Sequence, residues 1–186
     1  TAGTGSECQS FALIADEHTH AKMACGDKKA AARVALLDPE LTLSQPSNVT
    51  AVTALDAISH AVESYVCKSA NNISRSYALA AFQLMQDATE RITADPKNLL
   101  GRARMQLGAA MAGTAIENSM LGAAHSMANP LTAHFDIIHG QAVGVALPAV
   151  IRRTSQDAEV AALYRELLSS QPLDAWITTQ VANQGL

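Results

Sequence analysis

The sequence predicts a mainly α fold: a helical bundle preceded by a short α/β segment with about two strands. Two textures along the chain carry that expectation. From Pro46 onward the chain is alanine-rich, and its apolar residues recur at helical spacing. Residues 1–43 instead hold short apolar runs broken by polar turns.

Taken in order, Phe11–Ala15 and Val34–Leu37 are each followed by Asp and read as strands. The mixed polar stretch from Lys22 to Lys29 between them reads as a loop. The first strong helix follows Pro46, with Ser47 or Asn48 as its cap and Val52, Leu55, Ile58, Ala61, Val62 and Tyr65 on its apolar side. A second helix runs from Ile73 to about Thr93, before Asp95-Pro96, and a third starts near Asn98 and passes Ile116. Gly122 opens a shorter segment that Pro130 interrupts, and His139-Gly140 leads into an apolar stretch reaching Arg152. Ala158–Leu168 and Leu173–Val181 read as two short helices. No repeat period is visible, which excludes a solenoid.

Composition narrows the function classes. The 186 residues include 48% hydrophobic ones, enough to bury a core, so disorder is excluded as the dominant state. With 13 Lys+Arg against 17 Asp+Glu and no basic run, no nucleic-acid or membrane partner is expected. Cys8, Cys25 and Cys67 form neither a disulfide framework nor a zinc knuckle and read as reduced thiols of a cytoplasmic protein. The chain opens without a signal peptide, and its longest uncharged stretch, Asn118 to Phe135, is too polar to span a bilayer.

The chemistry points to the helices. Asp56 and His60 stand four apart on one helical face, close enough to chelate one ion, and Glu63 shares that face as a partner for a ligating imidazole. His125 and His139 lie in stretches poor in charge, where a polar ring needs a reason to be buried. Singly, either one reads as a core histidine bonded to a carbonyl. Together with Asp56 and His60 they form a three-His, one-carboxylate set suited to Fe(II), Zn(II) or a similar ion. His18 and His20 sit in a polar turn and read as exposed, and His134 reads as a surface residue or a cleft lining. The Thr1–Glu7 segment is a small-residue loop, readable as a ligand-binding loop or as a plain connection.

Thr1-Ala2-Gly3-Thr4-Gly5-Ser6-Glu7, Leu37-Asp38-Pro39-Glu40-Leu41, Asp56 through Glu63, and His125 through Pro130 to His139-Gly140 resemble the iron-containing alcohol dehydrogenases in order and spacing. The resemblance covers residues 1 to about 153. It implies that Asp56, His60, His125 and His139 ligate a catalytic Fe(II), sometimes replaced by Zn(II), in a cleft between two domains. It also implies that Thr1 and Thr4 lie beside the nicotinamide and pyrophosphate of NAD or NADP, with Lys22 near the cofactor. The implied activity is that of an oxidoreductase: Lewis-acid-assisted hydride transfer between a small alcohol or aldehyde and NAD(P).

Two departures stand out. Many members carry a second His where this chain has Asn129, which hydrogen-bonds but does not titrate, and Gln9 replaces a frequent Thr. The family is roughly twice this length, with a Gly-rich phosphate loop that is not found here. Residues 1–43 are therefore expected to be the C-terminal edge of a nucleotide-binding domain, and 44–186 a helical iron-binding domain short of its usual last helices. Such a fragment is expected to need its N-terminal domain for turnover, and its strand edges invite a homo-oligomer. The alternatives are an inactive metal-binding paralogue and a metal-dependent hydrolase with Glu63 as base.

Overall fold

Polar caps and proline positions divide the helical part of the chain much as the sequence predicts. The structure, a computed structural model, describes residues 3–18, 22–183 and 185, with Ala15 and Lys22 entering by backbone alone. The helices are α1 (Ser47–Val66), α2 (Asn72–Ala94), α3 (Leu99–Glu117), α4 (Ala123–Phe135), α5 (His139–Thr154), α6 (Ala158–Leu167) and α7 (Leu173–Asn183). Asn71 and Ser74 form a reciprocal capping box on α2, and the Asn98 side chain accepts the Gly101 amide at 2.8 Å to start α3. Neither Ser47 nor Asn48 caps α1; the helix starts directly after Pro46 without a side-chain cap. Pro130 does not interrupt α4 but lies inside it, as Pro148 lies inside α5. Each proline forfeits one intrahelical bond, and the surrounding turns carry the helix through.

Helix α1 is the axis of the bundle and packs against α2, α3, α5 and α6. Its residues from Ala54 to Tyr65 are all buried. Phe82 and Met85 of α2, Val143 and Leu147 of α5, and Trp176 and Ile177 of α7 complete the core. Glycines bring the helix backbones together. A Cβ at Gly140 would collide with the Val52 carbonyl, so only glycine permits the close crossing of α5 on α1. Among the described residues no helix is long and apolar enough to cross a membrane.

The strands correct the sequence reading. β1 (Phe11–Ala15) forms as expected, but its partner is β2 (Lys22–Gly26), the stretch read as a loop. The two pair antiparallel in register Phe11↔Gly26 to Ala15↔Lys22. Val34–Leu37 has no regular structure, and Val34 and Leu36 are exposed. A short hairpin closes cheaply, whereas an isolated apolar run cannot satisfy strand hydrogen bonds without a neighbour.

Candidate metal centre

Four side chains from three helices converge around the Asp56 carboxylate. Asp56 and His60 come from the buried middle of α1, His125 from the first turn of α4 and His139 from the first residue of α5. Asp56 Oδ1 lies 3.5 Å from His60 Nε2, 3.3 Å from His125 Nε2 and 3.9 Å from His139 Nε2. The His60 and His125 rings stack at 4.8 Å between centroids, and His139 meets His125 edge-on at 5.5 Å. One donor atom from each of Asp56, His60 and His125 falls within 4.8 Å of the others.

The set passes a physical test for a cation site. Asp56 Oδ1 and His125 Nε2 are buried and make no hydrogen bond. They face each other at 3.3 Å as a charge pair without hydrogen-bond geometry, and burying polar groups in that state is costly. Donors about 2.0–2.2 Å from one ion lie roughly 3–4 Å from each other, which matches the spacings around Asp56. Burial opposes the Asp56 charge, yet the three imidazoles hold its carboxyl well below the ordinary carboxylate range. Burial, joined by repulsion from His125, pushes His60 down against the pull of Asp56 and Glu63. Burial also works against a charged His125, but Asp56 and Glu63 prevail and raise it to about 9.

Glu63 has the place its spacing suggested. Its Oε2 is 2.6 Å from His125 Nδ1, and its Oε1 accepts the Ala124 amide at 2.7 Å. One carboxylate thus orients the imidazole and caps α4, whose preceding Gly122 supplies no side chain. A Cβ on Gly122 would stand 2.7 Å from Glu63 Oε1, so glycine is what lets α4 approach. Burial resists the Glu63 charge, but His125 and these amides hold its carboxyl below the usual range.

A cavity of about 880 Å³ opens over the cluster. Asp56, His60, His125 and His139 line it together with Thr4, Ser6, Gln9, the hairpin and Leu121. Of the residues expected near a cofactor, Thr4 is in this wall, while Thr1 and the Lys22 side chain lie outside the described residues. His18 is exposed as expected, His134 takes the surface rather than the cleft alternative, and His20 lies outside the described residues. Asn129 is exposed on α4. Sequence reasoning missed the pairing of Ser10 with Glu117, 107 positions apart, for which no local pattern exists. It also missed the hairpin residues Cys25 and Asp27 in the cavity wall, because their segment read as a loop.

Comparison with known proteins agrees with this architecture. Residues 50–171 match the Fe-containing alcohol dehydrogenase family, C-terminal region. An NAD-dependent methanol dehydrogenase from Bacillus methanolicus is 35% identical over 174 residues, which cover 91% of this chain and 46% of that protein. A choline dehydrogenase from Bacillus subtilis (strain 168) is 38% identical over 151 residues, 81% of this chain and 38% of its own length. The chain thus spans less than half the length of these relatives. Sulfoacetaldehyde reductase from Bifidobacterium kashiwanohense, solved with NAD+, superposes with a TM-score of 0.90 at 28% identity, over 100% of this chain and 50% of that one. By its matched residues this chain belongs to the iron-containing alcohol dehydrogenase family, as its C-terminal, mainly helical part.

Proposed function

We propose that the chain supplies the metal-binding part of an oxidoreductase that moves hydride between a small alcohol or aldehyde and NAD or NADP. The gathering of three imidazoles around the buried Asp56 carboxylate carries this reading. Asp56, His60, His125 and His139 would hold Fe(II), or Zn(II) in its place. Bound there, the ion would supply Lewis acidity toward a substrate oxygen and NAD(P) would supply the hydride acceptor or donor. Glu63 keeps the His125 ring turned so that Nε2 faces the cluster. Thr4 and the hairpin line the same cavity as the histidines, where they would restrict water and could meet a bound nicotinamide. Residues 1–43 belong to the edge of a nucleotide-binding domain in this reading, and 44–186 to the iron-binding domain. Glu63 is already committed to His125 and the α4 amides, which counts against its use as a hydrolytic base.

Titration of the chain with Zn²⁺ or Fe²⁺ under anaerobic conditions tests the proposal. One ion per chain is expected, and His60→Ala is expected to weaken binding at least about tenfold. His125 keeps its proton up to about pH 9 in the metal-free protein, and donation from Nε2 requires its loss. Affinity is therefore expected to climb with pH and to flatten above 9. No uptake, or uptake indifferent to His60→Ala, would refute the ligand set.

A further inference from the structure

Glu117 is the last residue of α3, where the helix dipole disfavours a negative side chain. Its carboxylate is nonetheless held there by one distant residue. The Ser10 amide donates to Oε2 at 2.9 Å and the Ser10 hydroxyl donates to Oε1 at 2.6 Å. Ser10 is buried, and its carbonyl accepts the Asp27 amide at 3.2 Å, so the same residue also ties the end of the hairpin.

The face of α3 that receives this segment repeats every four residues: Ala109, Gly113, Glu117. A Cβ on Gly113 would collide with the Gly5 carbonyl, and one on Gly5 would collide with the Ala109 carbonyl. Gly5 also has a φ of 69°, which favours glycine. Small residues admit the backbone at the near end of the turn, and Glu117 fastens the far end. Between them, among the described residues, Cys8 bonds to Gly5 and Gln9 to Ser6 through the backbone, and Thr114 of α3 hydrogen-bonds Cys8. Thr4, immediately before it, shares the cavity with the histidine cluster, and its carbonyl lies toward the His60 ring.

We propose that Glu117 is a positioning residue for the metal centre: by fastening Ser10 it fixes the Gly5–Ser10 turn on α3 and holds Thr4 beside His60. This rests on the reading of Asp56 and the three histidines as metal ligands. It adds a residue that touches neither metal nor substrate.

The test uses the full chain loaded with Co²⁺, whose d–d absorption reports ligand geometry. Glu117→Ala is expected to speed exchange of the Ser10 amide at least about tenfold while the α1 and α2 amides stay protected. The same variant is expected to shift the Co²⁺ bands and weaken Co²⁺ affinity by about tenfold. Glu117→Gln removes the charge but keeps an acceptor for the Ser10 amide, and is expected to stay within about threefold of the parent on both measures. Ser10→Ala removes only the hydroxyl bond; it should shift the bands less, in the same direction, and it serves if Glu117→Ala fails to fold. Unchanged Ser10 exchange in Glu117→Ala would overturn the proposal. So would faster exchange with unaltered Co²⁺ bands and affinity. Glu117→Gln as weak as Glu117→Ala, with Ser10 still protected, would assign the effect to charge and overturn it too. If the parent chain takes up no Co²⁺, the metal reading itself fails, and the positioning role fails with it.

Discussion

Helix α1 and the β1–β2 hairpin line one cavity and are built in opposite ways. From Ala54 to Tyr65 every α1 residue is buried, including Asp56, His60 and Glu63. On the hairpin Phe11, Leu13, Ile14 and Met23 are each at least 50% exposed. The donor side is held by packing against four helices, which leaves its rotamers little freedom. The hairpin side is held by its own ladder and by discrete tethers such as Ser10 to Glu117. A metal site needs tight donor geometry on one side and a wall that can meet other molecules on the other. The division of labour between core and hairpin matches that need.

Paired truncations test the contrast most strongly. Phe82 is fully buried and meets Trp176 edge-on at 5.4 Å between ring centroids. Phe82→Ala is expected to cost about 3–5 kcal/mol of stability in urea unfolding followed by circular dichroism. Phe11→Ala, on the hairpin, is expected to cost less than about 1 kcal/mol. Comparable costs would break the comparison by placing the hairpin in the same cooperative core.

The crossing of α5 over α1 gives a second, smaller handle. Gly140→Ala would set a methyl group against the Val52 carbonyl, next to His139. Destabilisation by about 1–3 kcal/mol is expected, the usual range for overpacking. A fall in metal affinity measured on the same variant would show that the donor geometry depends on this crossing. An unchanged affinity would show that α5 adjusts without moving His139.

Legibility in the sequence follows the same divide. Helical rhythm is a local signal, so α1, α2, α3, α6 and α7 could be read within a few residues of their ends, whereas α4 was expected to break at Pro130, which lies inside it. The candidate metal site was legible because Asp56, His60 and Glu63 repeat at helical spacing and because His125 and His139 stand out in uncharged surroundings. The second strand was not legible. Lys22-Met23-Ala24-Cys25-Gly26 alternates weakly and ends in residues typical of loops, and only its ladder with Phe11–Ala15 makes it a strand. Glu117 and Ser10 were invisible for a related reason, since a tertiary bond between distant positions leaves no trace in either neighbourhood.

The smallest expected effect falls on the segment whose apolar character misled the strand assignment. Leu36 is 89% exposed and Val34 75%, in a stretch with no regular structure. Leu36→Ser removes apolar surface that is already in water, so stability is expected to change by no more than about 0.5 kcal/mol. The same denaturation measurement checks it, run at two protein concentrations. A loss well above that figure, growing with concentration, would mean that Leu36 is covered in solution by a second copy of the chain. A large loss independent of concentration would place Leu36 against the rest of its own chain. Either result would move Val34–Leu37 from the loosely held part of the molecule to the packed part, and the contrast between helical core and exposed segments would narrow accordingly.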